Sequence, residues 1–446
     1  MKDIRLFRSS RGAHLFVVDG SRVYDLDTEA AARVERALSG ADEGAARALL
    51  NTLDLDASGR GGRISRRPLP PPPLRAISLN VAQTCNLACH YCYADEGRFG
   101  GRARMMSREV AEAAIDTLLR EAEPGATVVV GFMGGEPLLN RDVVHHATRY
   151  AARVGTAAGR RVRFSITTNG TLIKGEDAAL FSEFPFTVQV SVDGPRAVHD
   201  AARPTHDGRG SYDRLIAGLQ NFEQGRRPRH LSGRVTVTPR TGDLASILDH
   251  LLGLGFDEVG FAAVLVSPSP SMAFSHDDFA TFLSRMIVCG ERALARMLAG
   301  ARSGFANLET ALVELHRGSH RPYPCGAGAA YLSANAEGKL YACHRLVDDA
   351  AFSMGDVRRG SDLAARSRHL VVSHVDRMEP CRDCWARYLC GGGCYHEVRL
   401  RGRPGCDYIR GWLEFCVRAY VEVSTAHPEY FGDPELLANP TIAPLI

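Results

Sequence analysis

The residues most suited to chemistry here are cysteines. Twelve occur in 446 residues; eleven fall into an early and a late group, and Cys289 stands alone between them. The early group reads Cys85-Asn-Leu-Ala-Cys89-His-Tyr-Cys92. Three thiolates at this spacing can hold three irons of a [4Fe–4S] cluster and leave the fourth open. An open corner is what a substrate-binding cluster needs, just as catalytic zinc keeps one position free. A structural zinc ion is the competing reading. Zinc normally takes four ligands, and His90, the local candidate for the fourth, sits between two ligands in the tightest part of the loop. The late group comprises Cys325, Cys343, the run Cys381-x2-Cys384-x5-Cys390-x3-Cys394, then Cys406 and Cys416. A pair of zinc knuckles competes with iron–sulfur clusters there. Cys289 lies in a helical pattern and reads as a core thiol.

The elements that would position these groups follow from periodicity. From residue 76, apolar runs at 76–81, 127–132, 162–167, 187–192, 234–238 and 258–266 read as strands, with helical patterns at 108–121, 141–157, 176–184, 211–224 and 243–252 between them. This alternation predicts an α/β fold, either an open doubly wound sheet or a partial barrel. Cys85 follows the first strand directly, at the end where such folds place active sites. A long helix is expected at 277–298. After residue 320 the alternation stops, and Gly and Cys dominate, which predicts a separate unit stapled by metal clusters.

Ahead of the first strand, residues 59–75 form a Pro- and Arg-rich linker. Residues 1–58 read as a small α+β unit: strands at 4–7 and 14–18, an Asp19-Gly20 turn, and helices at 28–38 and 42–53. The expected units are therefore 1–58, the linker 59–75, 76–319 and 320–446. With 45% hydrophobic and 24% charged residues the chain can build an ordinary core, and a net charge of +3 points to neither a nucleic-acid nor a membrane partner. The start MKDIRLFRSS lacks the apolar run of a signal peptide, so a cytoplasmic location is expected.

The CxxxCxxC loop, with aromatic Tyr91 before its third cysteine, resembles the radical S-adenosylmethionine (SAM) superfamily. Further pieces appear in the family's order: Gly134-Gly135-Glu136-Pro137 after the second strand, Thr168-Asn169-Gly170 after the third, Ser191-Val-Asp193-Gly194 after the fourth, and Arg203 beyond. The resemblance covers roughly residues 76–270 and implies a partial (β/α)6 barrel. It further implies a SAM-binding cluster on Cys85, Cys89 and Cys92, and a 5′-deoxyadenosyl radical that abstracts a hydrogen from substrate. In the family the GGE segment contacts the methionine amino group, the SVDG segment contacts ribose and the methionine end, and the arginine pairs with the carboxylate. Tyr91, Gly134, Gly135, Glu136, Pro137, Asn169, Ser191, Asp193 and Arg203 are the cofactor contacts so implied.

The late cysteines resemble the SPASM extension, which binds two auxiliary [4Fe–4S] clusters. The resemblance assigns Cys325, Cys343 and Cys394 to one cluster and Cys381, Cys384, Cys390 and Cys406 to the other. The first then has three cysteines; an open iron or Cys416 would complete it. SPASM enzymes mostly modify peptides, and residues 14–53 are similar to a winged-helix-like domain that pairs a leader peptide with a strand edge. The stretches around Cys89–Gly100 and Pro324–Leu346 resemble maturases that install thioether bonds, in particular the family that crosslinks the small subunit of quinohemoprotein amine dehydrogenase. A peptide or small-protein substrate with a leader, and a flavodoxin- or ferredoxin-type electron donor, are the implied partners. The alternatives are a carbon–carbon, cyclophane-forming maturase, a sulfatase-activating formylglycine-forming enzyme, and a non-enzymatic iron–sulfur electron carrier. No general acid or base is assigned.

Overall fold

The computed structural model describes residues 3–39, 67–222, 225–318 and 321–432. At its centre are six parallel strands: β4 (Ala76–Gln83), β6 (Thr127–Gly134), β7 (Arg161–Thr168), β8 (Phe186–Ser191), β9 (His230–Val237) and β10 (Glu258–Ala263); short β5 (Arg104–Met105) pairs antiparallel with the end of β4. The six lie side by side in chain order, each wound on in the same direction. A doubly wound sheet would reverse direction partway, so this is the winding of a partial barrel. Among the described residues β10 and β4 do not pair, and the barrel stays open on that side.

Alternation along the strands explains the layers. Ile77, Leu79 and Val81 on β4, Val130 and Phe132 on β6, Phe164 and Ile166 on β7, Val188 and Val190 on β8, and Val235 and Val237 on β9 point to one face and join one buried cluster with the covering helices. The intervening positions are small or polar: Ser78, Asn80, Gly131, Ser165, Gln189, Ser191, Arg234 and Thr236. A sheet apolar outside and polar inside packs on helices and leaves a lined interior.

The expected separation at residue 320 is not what is observed. β11 (Tyr331–Ala334) adds to the same sheet, parallel to β4, and β12 (Lys339–Tyr341), β13 (Ser353–Asp356) and β14 (Gly360–Ser361) extend it. The seam is polar on the inner face: Ser78 Oγ donates to Ser333 Oγ at 2.8 Å, and Asn80 Nδ2 donates to Ser333 Oγ at 2.7 Å and to the Ala334 carbonyl at 3.0 Å. Leu332 and Ala334 enter the main core, as do residues of the long helix Cys406–Ala426. The segment lacks apolar runs because it shares this core.

The N-terminal unit is an antiparallel meander of β1 (Ile4–Ser9), β2 (Gly12–Val17) and β3 (Arg22–Leu26), followed by the helix Thr28–Ser39. Gly20 (φ +96°) and Ser21 (φ +46°) make the turn expected after Asp19. Phe16 packs edge-on against Trp385 at 5.7 Å between ring centroids, and Arg5 pairs with Glu414 at 2.5 Å. The expected helix at 42–53 and linker residues 59–66 lie outside the described residues. Among those described, no helix is long and apolar enough to cross a membrane.

Candidate active site

Every early motif sits at the C-terminal end of a parallel strand. Cys85, Cys89 and Cys92 occupy the loop after β4, where Asp95, Glu96 and Phe99 take positive φ (+48°, +53°, +51°) and Gly97 takes +87°. That loop presses on the end of β6. A Cβ on Gly134 would lie 2.3 Å from the Ala82 carbonyl oxygen; one on Gly135 would lie 2.3 Å from that of Thr84 and 2.9 Å from that of Glu96. The paired glycines are therefore required by backbone contact with the cysteine loop.

Glu136 is fully buried. It accepts from Thr168 Oγ1 at 2.8 Å, from the Asn169 amide at 2.7 Å and from the Leu138 amide at 3.0 Å, tying the ends of β6 and β7 together. Burial pushes its pKa up to about 7, against the lowering effect of those donors. Pro137, also buried, opens the short turn that follows. Asn169 Nδ2 donates to Asn86 Oδ1 at 2.8 Å and lies 3.9 Å from Cys85 Sγ, while the Leu87 amide points at the same sulfur from 3.5 Å.

The end of β8 carries a buried ion pair. Arg203 reaches Asp193 through Nε at 3.0 Å and Nη2 at 3.2 Å. The Tyr91 hydroxyl donates to the same carboxylate, and the Thr236 amide donates to it at 2.9 Å. Arg203 also stacks over the Tyr91 ring at 5.3 Å. Ser191, at the last position of β8, is partly exposed to the interior. The sequence reading missed the group that holds this pair. His199 Nδ1 accepts from the Asp193 amide at 3.3 Å, its Nε2 lies 3.0 Å from Ser211 Oγ, and Ser211 Oγ donates to the Arg203 carbonyl at 2.6 Å. Burial, then the neighbouring Arg203 charge, lowers the His199 pKa to about 4, so the ring is neutral at physiological pH with its proton on Nε2. The signal was present as His199 four residues before Arg203 on one helical turn.

The late cysteines separate into two groups by the charges they feel. Cys343 senses Cys325 and Cys394; Cys390 senses Cys381, Cys384 and Cys406. One cavity is lined by Cys381, Cys384, Cys390, Cys394 and Cys406. Cys416 joins neither group. It is fully buried on the helix Cys406–Ala426 among core side chains. Cys289 is likewise a buried core thiol. Between the early loop and the late cysteines lies a bridge: Arg345 pairs with Glu397 at 2.5 Å, stacks over Tyr93 at 4.7 Å, and acts on Cys394.

Residues 79–251 match the family model described as the radical SAM superfamily. The chain carries a radical SAM domain. Over 351 residues the chain is 25% identical to the serine-type anaerobic sulfatase-maturating enzyme of Klebsiella aerogenes, covering 76% of this chain and 84% of that one. An uncharacterised protein of Archaeoglobus fulgidus is 26% identical over 76% of this chain and 79% of its own length. Among solved structures, anSMEcpe with bound AdoMet superposes with a TM-score of 0.69 at 20% identity, over 82% of this chain and 98% of that one. SuiB of Streptococcus suis bound to its precursor peptide SuiA superposes with a TM-score of 0.52 at 14% identity, over 91% and 97%. These structural likenesses concern the fold.

A radical SAM domain works with a [4Fe–4S] cluster and SAM, which when bound supply one-electron cleavage of a carbon–sulfur bond. The site fits them. All twelve cysteines are free thiols. Cys85 senses both Cys89 and Cys92, and burial holds Cys85 near pKa 12 and Cys89 near 11 without a metal to ionise them. No His, Cys, Asp or Glu trio among the described residues is gathered tightly enough for a single ion; a cube takes one thiolate at each of several corners and so asks for wider spacing. Cys85, Cys89 and Cys92 would hold the SAM-binding cluster, with Glu136, Asn169, Ser191, Asp193 and Arg203 around the SAM pocket.

Proposed function

We propose that the chain is a SPASM-type radical SAM maturase that forms intrapeptide thioether crosslinks, joining a cysteine sulfur to a carbon of another residue in a ribosomally made peptide. The observation that carries the reading is the three-thiol set Cys325, Cys343 and Cys394, with Cys416 removed to the core. Three protein thiolates leave one corner of an auxiliary cluster free for a substrate thiolate. The Tyr93–Arg345–Glu397 bridge connects this set to the early cysteine loop, so a peptide between them would meet both centres. The second set, Cys381, Cys384, Cys390 and Cys406, would hold a fully ligated cluster that relays electrons from a flavodoxin- or ferredoxin-type donor.

The N-terminal meander supports a peptide partner. β3 pairs only with β2 among the described residues and offers its outer edge to an extended leader. A second reading is supported by the sulfatase-maturating relatives: oxidation of a cysteine or serine to formylglycine. Mass spectrometry of the candidate peptide after anaerobic reaction with SAM and reductant separates them. A thioether gives a loss of two hydrogens and a cysteine that resists alkylation. A formylglycine gives an aldehyde that reacts with hydrazide and no crosslink. An unmodified peptide alongside SAM turnover would count against both.

A further inference from the structure

Three guanidiniums line the cavity that holds Cys381, Cys384, Cys390 and Cys406: those of Arg387, Arg403 and Arg410. They differ in what answers their charge. Arg387, 3% exposed, pairs with Asp3, lies 3.7 Å from Asp376, and donates through Nη1 to the Cys384 carbonyl at 3.0 Å. Arg410 shares its charge with the exposed Asp407. Arg403 forms no ion pair with a carboxylate among the described residues. Its Nη2 lies 2.9 Å from the neutral Met378 sulfur, and its Nε–H is closed to solvent with no hydrogen-bond acceptor. The charge of Arg403 reaches the thiols. Burial raises the pKa of Cys381, and Arg403 is the largest influence opposing that rise. The three-thiol set is built differently. There Arg345 acts on Cys394, but Glu397 meets its charge at 2.5 Å.

We propose that Arg403 is a redox-tuning residue, whose charge and free N–H raise the reduction potential of an iron–sulfur cluster held by Cys381, Cys384, Cys390 and Cys406. This rests on the assignment of that set to an auxiliary cluster. Four thiolates make such a cluster anionic, and taking one electron adds one more negative charge. A nearby cation and a hydrogen bond to sulfur favour the more negative state, so they raise the potential. The electron comes from the donor, and no bond or proton changes hands. The role suits the proposed path, because the cluster that meets the donor has to be one the donor can reduce. Arg403 is partly exposed, so solvent screens part of its charge and limits the effect. Arg410 acts on Cys384 and Cys406 in the same direction, but Asp407 takes up part of its charge.

The test is a dithionite titration of the full-length, anaerobically reconstituted protein at controlled potentials, read by EPR. The signal missing from Cys406→Ala marks the cluster of the second set. Arg403→Met removes the charge at similar length. It should shift that cluster's one-electron equilibrium at least threefold toward the oxidised form, a fall of about 28 mV, with iron content and the other clusters' potentials unchanged. Arg403→Lys keeps the charge without the fork and should recover at least half of the fall. A smaller shift in Arg403→Met, an equal shift at every cluster, or a Lys variant no better than the Met variant would overturn the proposal. A second measurement keeps Arg403 in place. With arginine labelled by nitrogen-15, pulsed EPR on the marked signal should show a coupling to an arginine nitrogen. Its absence would overturn the proposal even if Arg403→Met fails to assemble the cluster. If the marked signal is lost in Cys406→Ala but unmoved in Arg403→Met, this inference falls alone. If Cys406→Ala costs neither iron nor signal, the cluster assignment falls and the inference with it. Neither result touches the thioether reading, which the mass of the reacted peptide decides.

Discussion

Replacing Asp193 by asparagine tests whether the buried pair at the end of β8 holds the SAM pocket together. Asp193 and Arg203 are 1% and 6% exposed. Asp193 receives four donors: the Arg203 Nε and Nη2, the Tyr91 hydroxyl and the Thr236 amide. Asparagine keeps the shape, so packing is unchanged. Its one oxygen can keep the Thr236 bond, but the amide nitrogen then faces Arg203 and Tyr91, donor against donor. Removing one partner of a buried ion pair typically costs about 3–5 kcal/mol, because the other charge is left uncompensated. For a chain of this length that is a fall in melting temperature of about 3–5 °C. The assay is thermal unfolding of the metal-free protein, with SAM binding to the reconstituted protein as a second readout. Asp193→Leu combined with Arg203→Met should recover at least half of the lost stability, since it removes both charges at once. Two results would show that the pair does not act as a unit: a melting temperature within about 1 °C of wild type in Asp193→Asn, or a double variant as unstable as the sum of the two single changes.

The two fates of the late cysteines differ in iron content. Cys394→Ala should lower iron by about four atoms per chain after reconstitution, whereas Cys416→Ala should leave iron unchanged and cost only the packing of a small buried side chain, read by iron assay and unfolding. His199 gives a pH signature. Its folded pKa of about 4 lies below the ordinary 6.5, so the unfolded chain binds the proton first. The stability His199 contributes is complete above pH 6.5 and is lost as pH falls from there toward 4, by up to about 3 kcal/mol. Glu136, raised to about 7, acts with the opposite sign in an overlapping range. The measurement is therefore the difference in unfolding free energy between wild type and His199→Gln from pH 7 to pH 5, and the variant should lose less on acidification.

Much of the barrel was legible because its strands are apolar on the helix-facing side and its crossover helices are amphipathic. The helices Arg108–Glu121 and Arg141–Ala157 fall where their periodicity placed them. β11 was not legible. It is four residues long, follows a Gly-rich stretch, and owes its place to Ser78, Asn80 and Ser333, whose pairing spans more than 250 positions. The same non-locality hid the His199–Ser211 support of Arg203. The burial of Cys416 was likewise hidden: its spacing suits a ligand, and only the packing of the helix that carries it shows its side chain turned to the core.

Whether the three early cysteines build a SAM-cleaving centre is decided by 5′-deoxyadenosine formation when the reconstituted protein is incubated anaerobically with SAM and dithionite. The wild-type protein should form 5′-deoxyadenosine, and a variant with Cys85, Cys89 and Cys92 all changed to alanine should form none above background. Equal amounts from both proteins, or none from a wild-type protein that carries its full complement of iron, would contradict the assignment of a radical SAM centre to these residues.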